Sequence, residues 1–477
     1  MLKKITAILM MISMILVTSC ASGPQLMDFI DNSGGPQTLG GITLYFTANF
    51  GPEDPSNTSD LTPFLGYTQN TTFYDAAIER VAQVEKDLDV NIEQSPEGRE
   101  LNDIVYLLAS GDGKLDAVIG VGVDYIGGLM PSLYKAFTPM SSVSQYIDIQ
   151  DSAKWGDPKR LEMFAWDGEI YGVIPNYWPE LQFSSSDFIV IPNVDYIESI
   201  GETDPRDFFE NGVWTLEKME ELIPLYAQYS DVKEEIIYGL SANERHLYEM
   251  LVQYYGADWA QKNANGKWEM GSLSEGGRLA AEKLHEYMTG ELSDLILFDK
   301  VGAQTYRWGQ KQVAMSLLHT ICLTEPYALI PQVGFEYAVL PFPSQDGKSI
   351  FGQFERNVEA IMITSFSMYS EESAKVLNAI YEPFADYNDE TSLIERYNST
   401  LFFDERDTEI MLKLSESVRL LPSNSIGELN IKITEELGKF DAAEVLSRYS
   451  SLLQNILETE LIPVKETMEK IFPGYND

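Results

Sequence analysis

The sequence predicts an α/β protein folded in two lobes, and three observations carry that prediction. Strand and helix patterns alternate from Ile42 to Val121. The chain has 477 residues, too many for one ordinary core. A proline-bracketed aromatic stretch, Trp166–Glu180, reads W-D-G-E-I-Y-G-V-I-P-N-Y-W-P-E and stands where the chain can pass from one lobe to the other.

Taken in order, Ile42–Phe46 is a compact apolar run with strand character. Phe73–Leu88 puts Tyr74, Ala77, Ile78, Val81, Val84 and Leu88 at helical spacing. Val90–Ile92 alternates like a strand, Glu100–Ser110 reads as a helix stopped by Gly111, and Asp116–Val121 is again strand-like. Such alternation predicts a parallel sheet with right-handed crossovers. Ligands on such sheets bind beyond the carboxyl ends of the strands, here Thr47–Phe50 and Gly122–Tyr125.

Asp167-Gly168 is a hairpin turn signal, and Ile170–Ile174 is short and β-prone. Pro175 and Pro179 oppose helix from Ile174 to Glu180, so Tyr177 and Trp178 stand at the crossing. A surface hairpin with Trp178 packed on a core is the alternative. Beyond it, Thr215 reads as the N-cap of a helix with Glu217 in its first turn, and His246–Tyr255 and Gly277–Met288 are helical. Gln310–Leu318 returns to strand, Tyr337–Pro343 ends in a proline-rich turn, and Val358–Thr364 is a further strand. Ser373–Ala379 begins a helix, and helical periodicity runs on to Phe472.

With 74 acidic against 33 basic residues, the net charge of -41 disfavours nucleic acid and anionic lipid as partners. The first residues have their own pattern: Lys3-Lys4, an apolar run from Ile5 to Val17, then Val17-Thr18-Ser19-Cys20. That is a signal peptide whose last four residues match a bacterial lipobox, which makes Cys20 the site of lipidation. Residues 21–41, rich in Ser, Gly, Pro, Asp and Gln, read as a flexible tether. Processing leaves Cys322 as the sole unmodified cysteine, so no intrachain disulfide is expected.

Catalytic patterns are missing from the sequence. His246, His285 and His319 are scattered without metal-ligand spacing, and His319 and Cys322, three apart on a strand, face opposite ways. There is no nucleophile elbow, no P-loop and no calcium loop, and Gly120–Gly127 departs from a dinucleotide fingerprint after its second glycine. Among 74 acids, no spacing singles out a glycosidase pair. Aromatic residues near predicted loops, among them Tyr177, Trp178, Tyr255 and Trp259, offer flat faces to a sugar, while neighbouring carboxylates and amides can bond its hydroxyls. Core packing competes for each of these rings.

Several stretches together resemble the extracellular solute-binding proteins of ABC importers, of the maltodextrin-binding-like type. Leu115–Ile119 is similar to a P-D-V strand, with leucine in place of proline. Asp167–Val173 is similar to D-G-K-I-Y-G-[VI], and Trp214–Met219 resembles W-T-W-D-E-L. Gly309–Met315 resembles G-K-A-A-M, Leu340–Pro343 matches L-P-x-P, and Glu372–Ile380 is similar to the helix E-A-A-W-x-F-L. The resemblance runs from about Ile42 to Lys470.

It implies a two-lobed periplasmic-binding-protein-like (type II) fold, each lobe a mixed sheet flanked by helices, with the ligand cleft between lobes. The expected boundaries are 42–176 plus 319–364 for lobe 1 and 177–318 plus 365–477 for lobe 2. It implies no catalysis and no cofactor. The expected partners are a small polar solute, a saccharide, and ABC permease subunits, with the protein itself a monomer lipid-anchored on the outer face of the membrane. Asn49, Asp124, Glu180, His319 and Arg356 fall where the family places polar ligand contacts. Tyr125 replaces the arginine of an H-D-R-F-G-G turn. A surface-anchored carbohydrate-active enzyme and an adhesion lipoprotein are the rival readings.

Overall fold

The computed structural model describes residues 38–50, 74–95, 101–111, 113–122, 130–155, 158–175, 188–230, 235–319, 333–350, 354–355, 359–382, 402, 404–416, 419–420 and 424–475. The elements that bear on function are, in chain order, β1 (Ile42–Phe50), α1 (Tyr74–Leu88), β2 (Val90–Gln94), α2 (Leu101–Ser110) and β3 (Ala117–Gly122). A small hairpin, β4 (Ala165–Trp166) and β5 (Glu169–Ile170), leads to β6 (Phe188–Pro192). Then come α3 (Leu216–Tyr226), β7 (Glu235–Ala242), α4 (Glu244–Tyr254), β8 (Ile296–Phe298), α5 (Val301–Gly309), β9 (Val313–His319) and β10 (Leu340–Pro341). The remainder is β11 (Glu359–Ile363), α6 (Ser370–Ile380), α7 (Glu405–Glu416), α8 (Ala442–Ile456) and α9 (Ile462–Ile471).

Two separate sheets carry two separate cores. In the first, the order is β11-β3-β1-β2, with β1 parallel to both β2 and β3 and β11 antiparallel at the edge. Helix α1 turns Ala77, Val81 and Val84 onto this sheet, the stripe expected from their spacing. The helix α2 is followed by Gly111 at φ +63°, the left-handed stop that glycine adopts without a Cβ penalty. In the second sheet the order is β8-β7-β9-β6-β10, where β7, β8 and β9 are parallel and β6 runs against β9 and β10. Strand β6 is buried at every residue, which explains its unbroken apolar sequence F-I-V-I-P.

The chain changes core four times among the described residues: between Ile174 and Phe188, between Phe342 and Ala360, between Tyr381 and Phe402, and between Leu461 and Val464. This differs from the expected boundaries. Residues Phe335–Phe342 pack in the second core because β10 pairs with β6. Ala374, Leu377, Ile380, Val464 and Met468 pack in the first. Helical periodicity shows which face is buried but not which sheet buries it, so a run of helices from residue 373 onward looked like one unit.

Ion clusters hold two ends of these passages. Lys154 donates to the Asn378 carbonyl at 2.8 Å and to Glu382 at 2.7 Å, and Arg80 bonds the Ile380 and Glu382 carbonyls, so two cations close the last turn of α6. On re-entry, Asp407 accepts from Arg206 Nε at 3.1 Å and Nη2 at 3.0 Å and from the Val339 amide at 2.8 Å, which fixes α7 to the edge of the second sheet.

Candidate functional site

In the first lobe, β1 and β3 end side by side at Phe50 and Gly122, and β11 begins opposite Gly122 at Glu359. Asn49 is the penultimate residue of β1, so the backbone places it at this end of the sheet. Asp124, Tyr125, Tyr177, Trp178, Glu180 and Arg356 lie outside the described residues, as do Cys20 and Cys322.

The second lobe supplies a matching edge. Strand β7 ends at Ala242, and the next residue, Asn243, caps α4: its side-chain oxygen accepts from the amides of Arg245 at 3.2 Å and His246 at 3.4 Å. Its amide nitrogen reaches the Asp299 carbonyl at 3.5 Å. Strand β9 ends at His319, which stands opposite Phe188, the first residue of β6. The Phe188 ring stacks on the His246 imidazole with centroids 4.0 Å apart and planes 29° apart. Arg245 contacts His246 and lies 3.8 Å from the buried Glu249, which also accepts from Asn430 at 3.0 Å.

The structure therefore gathers the backbone position of His319 with Phe188, His246, Arg245 and the N-terminus of an eleven-residue helix. The helix dipole favours electron-rich groups at this end, while the Arg245 guanidinium is engaged by His246 and Glu249. Asp299, beside this edge, is pushed up by burial but held below the ordinary carboxylate range by Arg307, whose Nε donates to it at 2.7 Å. The Phe188–His246 stack, with both residues buried, is a support behind this edge that the sequence reading did not pair. The available signal was a strand running straight into an Asn-capped helix, with His246 in the first turn.

Two predicted site residues belong elsewhere. Trp259 is completely buried in the second core, so it has no face to offer a solute. Tyr255 sits at the opposite end of α4, about 16 Å along the helix axis from its first turn, and meets Tyr254 edge-to-face at 5.0 Å. The Trp259 ring is framework, and the half-buried Tyr255 ring lies away from the edge of β7 and β9. Loop proximity in sequence drew attention to them, but only packing decides which way a ring points.

A cavity of about 850 Å³ opens where Lys159 of the first lobe faces Arg206, Phe209, Lys348 and Arg406 of the second. Its arginines are already engaged, Arg406 by Asp204, Asp207, Glu210 and Asp404 and Arg206 by Asp204, Glu336 and Asp407. Their charge is spent within the protein. Among the described residues no group of His, Cys, Asp and Glu has metal-binding geometry.

Solved structures share this architecture. The galacto-N-biose/lacto-N-biose I-binding protein of the ABC transporter from Bifidobacterium longum, in complex with lacto-N-biose, superposes with a TM-score of 0.56 at 11% identity, covering 90% of this chain and 98% of that one. A cyclo/maltodextrin-binding protein complexed with maltotetraose gives 0.55 at 12% identity, covering 94% and 100%. A sugar transporter from Rhizobium etli in an open conformation gives 0.55 at 15% identity, covering 89% and 99%. The chain has the type II periplasmic-binding-protein fold. No protein-family model and no curated protein matches the sequence. On open α/β sheets ligands bind beyond the carboxyl ends of the strands, which here are the ends of β1, β3, β7 and β9.

Proposed function

We propose that this protein is a solute receptor that captures a saccharide between its two lobes and delivers it unchanged to an ABC permease. The observation that carries the proposal is the type II fold shared almost end to end with sugar-binding proteins. The aromatic and amide-rich crossing around Asn176, Tyr177 and Trp178 supports it, because flat apolar rings beside hydrogen-bonding groups suit a sugar's two faces. A lipid on Cys20 keeps the monomer beside its permease on the outer face of the membrane. No helix among the described residues is long and apolar enough to cross a membrane.

Thermal unfolding against a panel of mono- and oligosaccharides tests the reading. A cognate solute at a hundred times its Kd adds about 2.7 kcal/mol of stability, and recovery of that solute chemically intact completes the test. Release of reducing sugar by the purified protein, or a panel with no shift at all, would replace the proposal with one of its rivals.

A further inference from the structure

The last crossing, between Leu461 and Val464, runs within a helix. Residues Ala442–Ile456 of α8 and Ile462–Ile471 of α9 are joined by a π-helical turn, Leu457–Leu461. Leu453, Leu457 and Leu461 pack in the second core, whereas Val464 and Met468 pack in the first. The ladder changes register at that boundary. A π turn lengthens the hydrogen-bonded ring, and Pro463 then contributes no N–H.

One turn into α9 stands Lys465. Its ammonium lies 2.6 Å from Glu162 and 3.2 Å from Asp258. Glu162 is flanked by Leu161 and Met163 of the first core, and Asp258 by Ala257 and Trp259 of the second. The lysine and Glu162 side chains are 9% and 3% exposed, so bulk water and salt screen this triad poorly. Separating the Lys465–Glu162 ion pair within the first lobe would strand a buried charge and is costly. The contact to Asp258, which is 30% exposed, spans the lobe boundary and can be released into water.

We infer that Lys465 is a clasp: held in the first lobe by Glu162, it grips Asp258 of the second and sets how freely the lobes move about the Leu457–Pro463 flexion point before any solute arrives. This goes beyond the receptor reading and does not depend on which solute binds.

The test uses no solute, so its failure is separable from that of the receptor proposal. Spin labels replace Tyr106 and Tyr306, which are 69% and 67% exposed on the two lobes, in the full chain with Cys20→Ser and Cys322→Ser. Asp258→Asn keeps an acceptor for the Trp259 amide, now 2.7 Å from Asp258 Oδ1, while the charged Oδ2 that accepts from Lys465 at 3.2 Å becomes an NH2 donor and releases the lysine. The expected result is a broader label-to-label distance distribution in Asp258→Asn, with the wild-type distribution restored in Asp258→Glu. Amide exchange at residues 457–466 is expected to quicken in the Asn variant alone, which gives a second reading if the labelled protein folds poorly. An unchanged distribution with unchanged exchange in Asp258→Asn would overturn the inference, as would equal broadening in the Glu variant.

Discussion

Asp407 shows how one buried carboxylate can govern an edge. It is wholly buried, and burial raises its pKa to about 6 against the pull of Arg206. Between the unfolded value near 3.9 and about 6, the folded chain holds a proton that the unfolded chain has released. This group therefore favours folding more strongly as pH falls through that window, and the contribution is lost as pH rises through the folded pKa. The urea midpoint of the wild type relative to Asp407→Asn is expected to climb as pH is lowered from 6 to 4. Arg206→Met at pH 7 leaves the carboxylate buried and unpaired, and chemical denaturation should register a loss of about 3–5 kcal/mol. The two tryptophans make a sharper pair. Trp259→Ala is expected to cost about 3–5 kcal/mol of stability while leaving solute affinity intact. Trp178→Ala is expected to leave stability intact and weaken binding at least ten-fold, about 1.4 kcal/mol by calorimetry. In the sequence the two rings looked equivalent, because each lies beside Gly, Pro or Asp. The buried face of Trp259 became visible only once α4 and its neighbours were packed.

At the scale of elements, local chemistry was the more legible layer. Thr215 does cap α3, its hydroxyl accepting from the Lys218 amide at 3.3 Å, and the buried Trp214 Nε1 donates to the Pro341 carbonyl at 2.8 Å. Thr215→Ala should lower stability by about 1 kcal/mol, read as a small drop in Tm with binding unaffected. The Asp167-Gly168 turn is likewise real: φ is +51° and +82°, as a two-residue hairpin requires, and a Cβ on Gly168 would collide with the Lys470 ammonium. Strands β1, β2 and β3 fall where alternating and apolar runs were read, and they pair in parallel as the intervening helices demand. Asp116, in the stretch similar to a P-D-V strand and immediately before β3, accepts from the Tyr45 amide at 2.8 Å and from the Ser367 hydroxyl. Its position opposite the carboxyl edge makes that motif a fastening of the sheet. The π turn left no trace in composition, since Leu457–Leu461 continues an ordinary helical stripe.

For the whole molecule, the described residues pass four times between two separate cores, the arrangement in which lobes move as bodies. Under the proposed function, a solute bound between them stabilises the closed arrangement only by its differential affinity for that state. Small-angle scattering is expected to show a smaller radius of gyration with the cognate saccharide than without it, and no change with a sugar that gives no thermal shift. A radius that stays constant at saturating solute would disconnect capture from closure. The chain also shows how far a fold outlasts its wording. At 11–15% identity the type II architecture persists over most of the chain, because layers and crossovers depend on apolar periodicity and strand order more than on particular side chains.

What the sequence determined by itself was what is set within one turn or one strand: element type, the Thr215 cap, the hairpin and the parallel pairing of β1, β2 and β3. These depend on neighbours a few residues apart, whose spacing is written in the chain. Only the tertiary structure decided that Phe188 and His246 meet, that Trp259 is sealed away, that α6 and α9 return to the first core and that Lys465 reaches across to Asp258. Those pairs are separated by tens to hundreds of residues. Contact between them follows from which sheet each apolar face finds, a choice that periodicity leaves open.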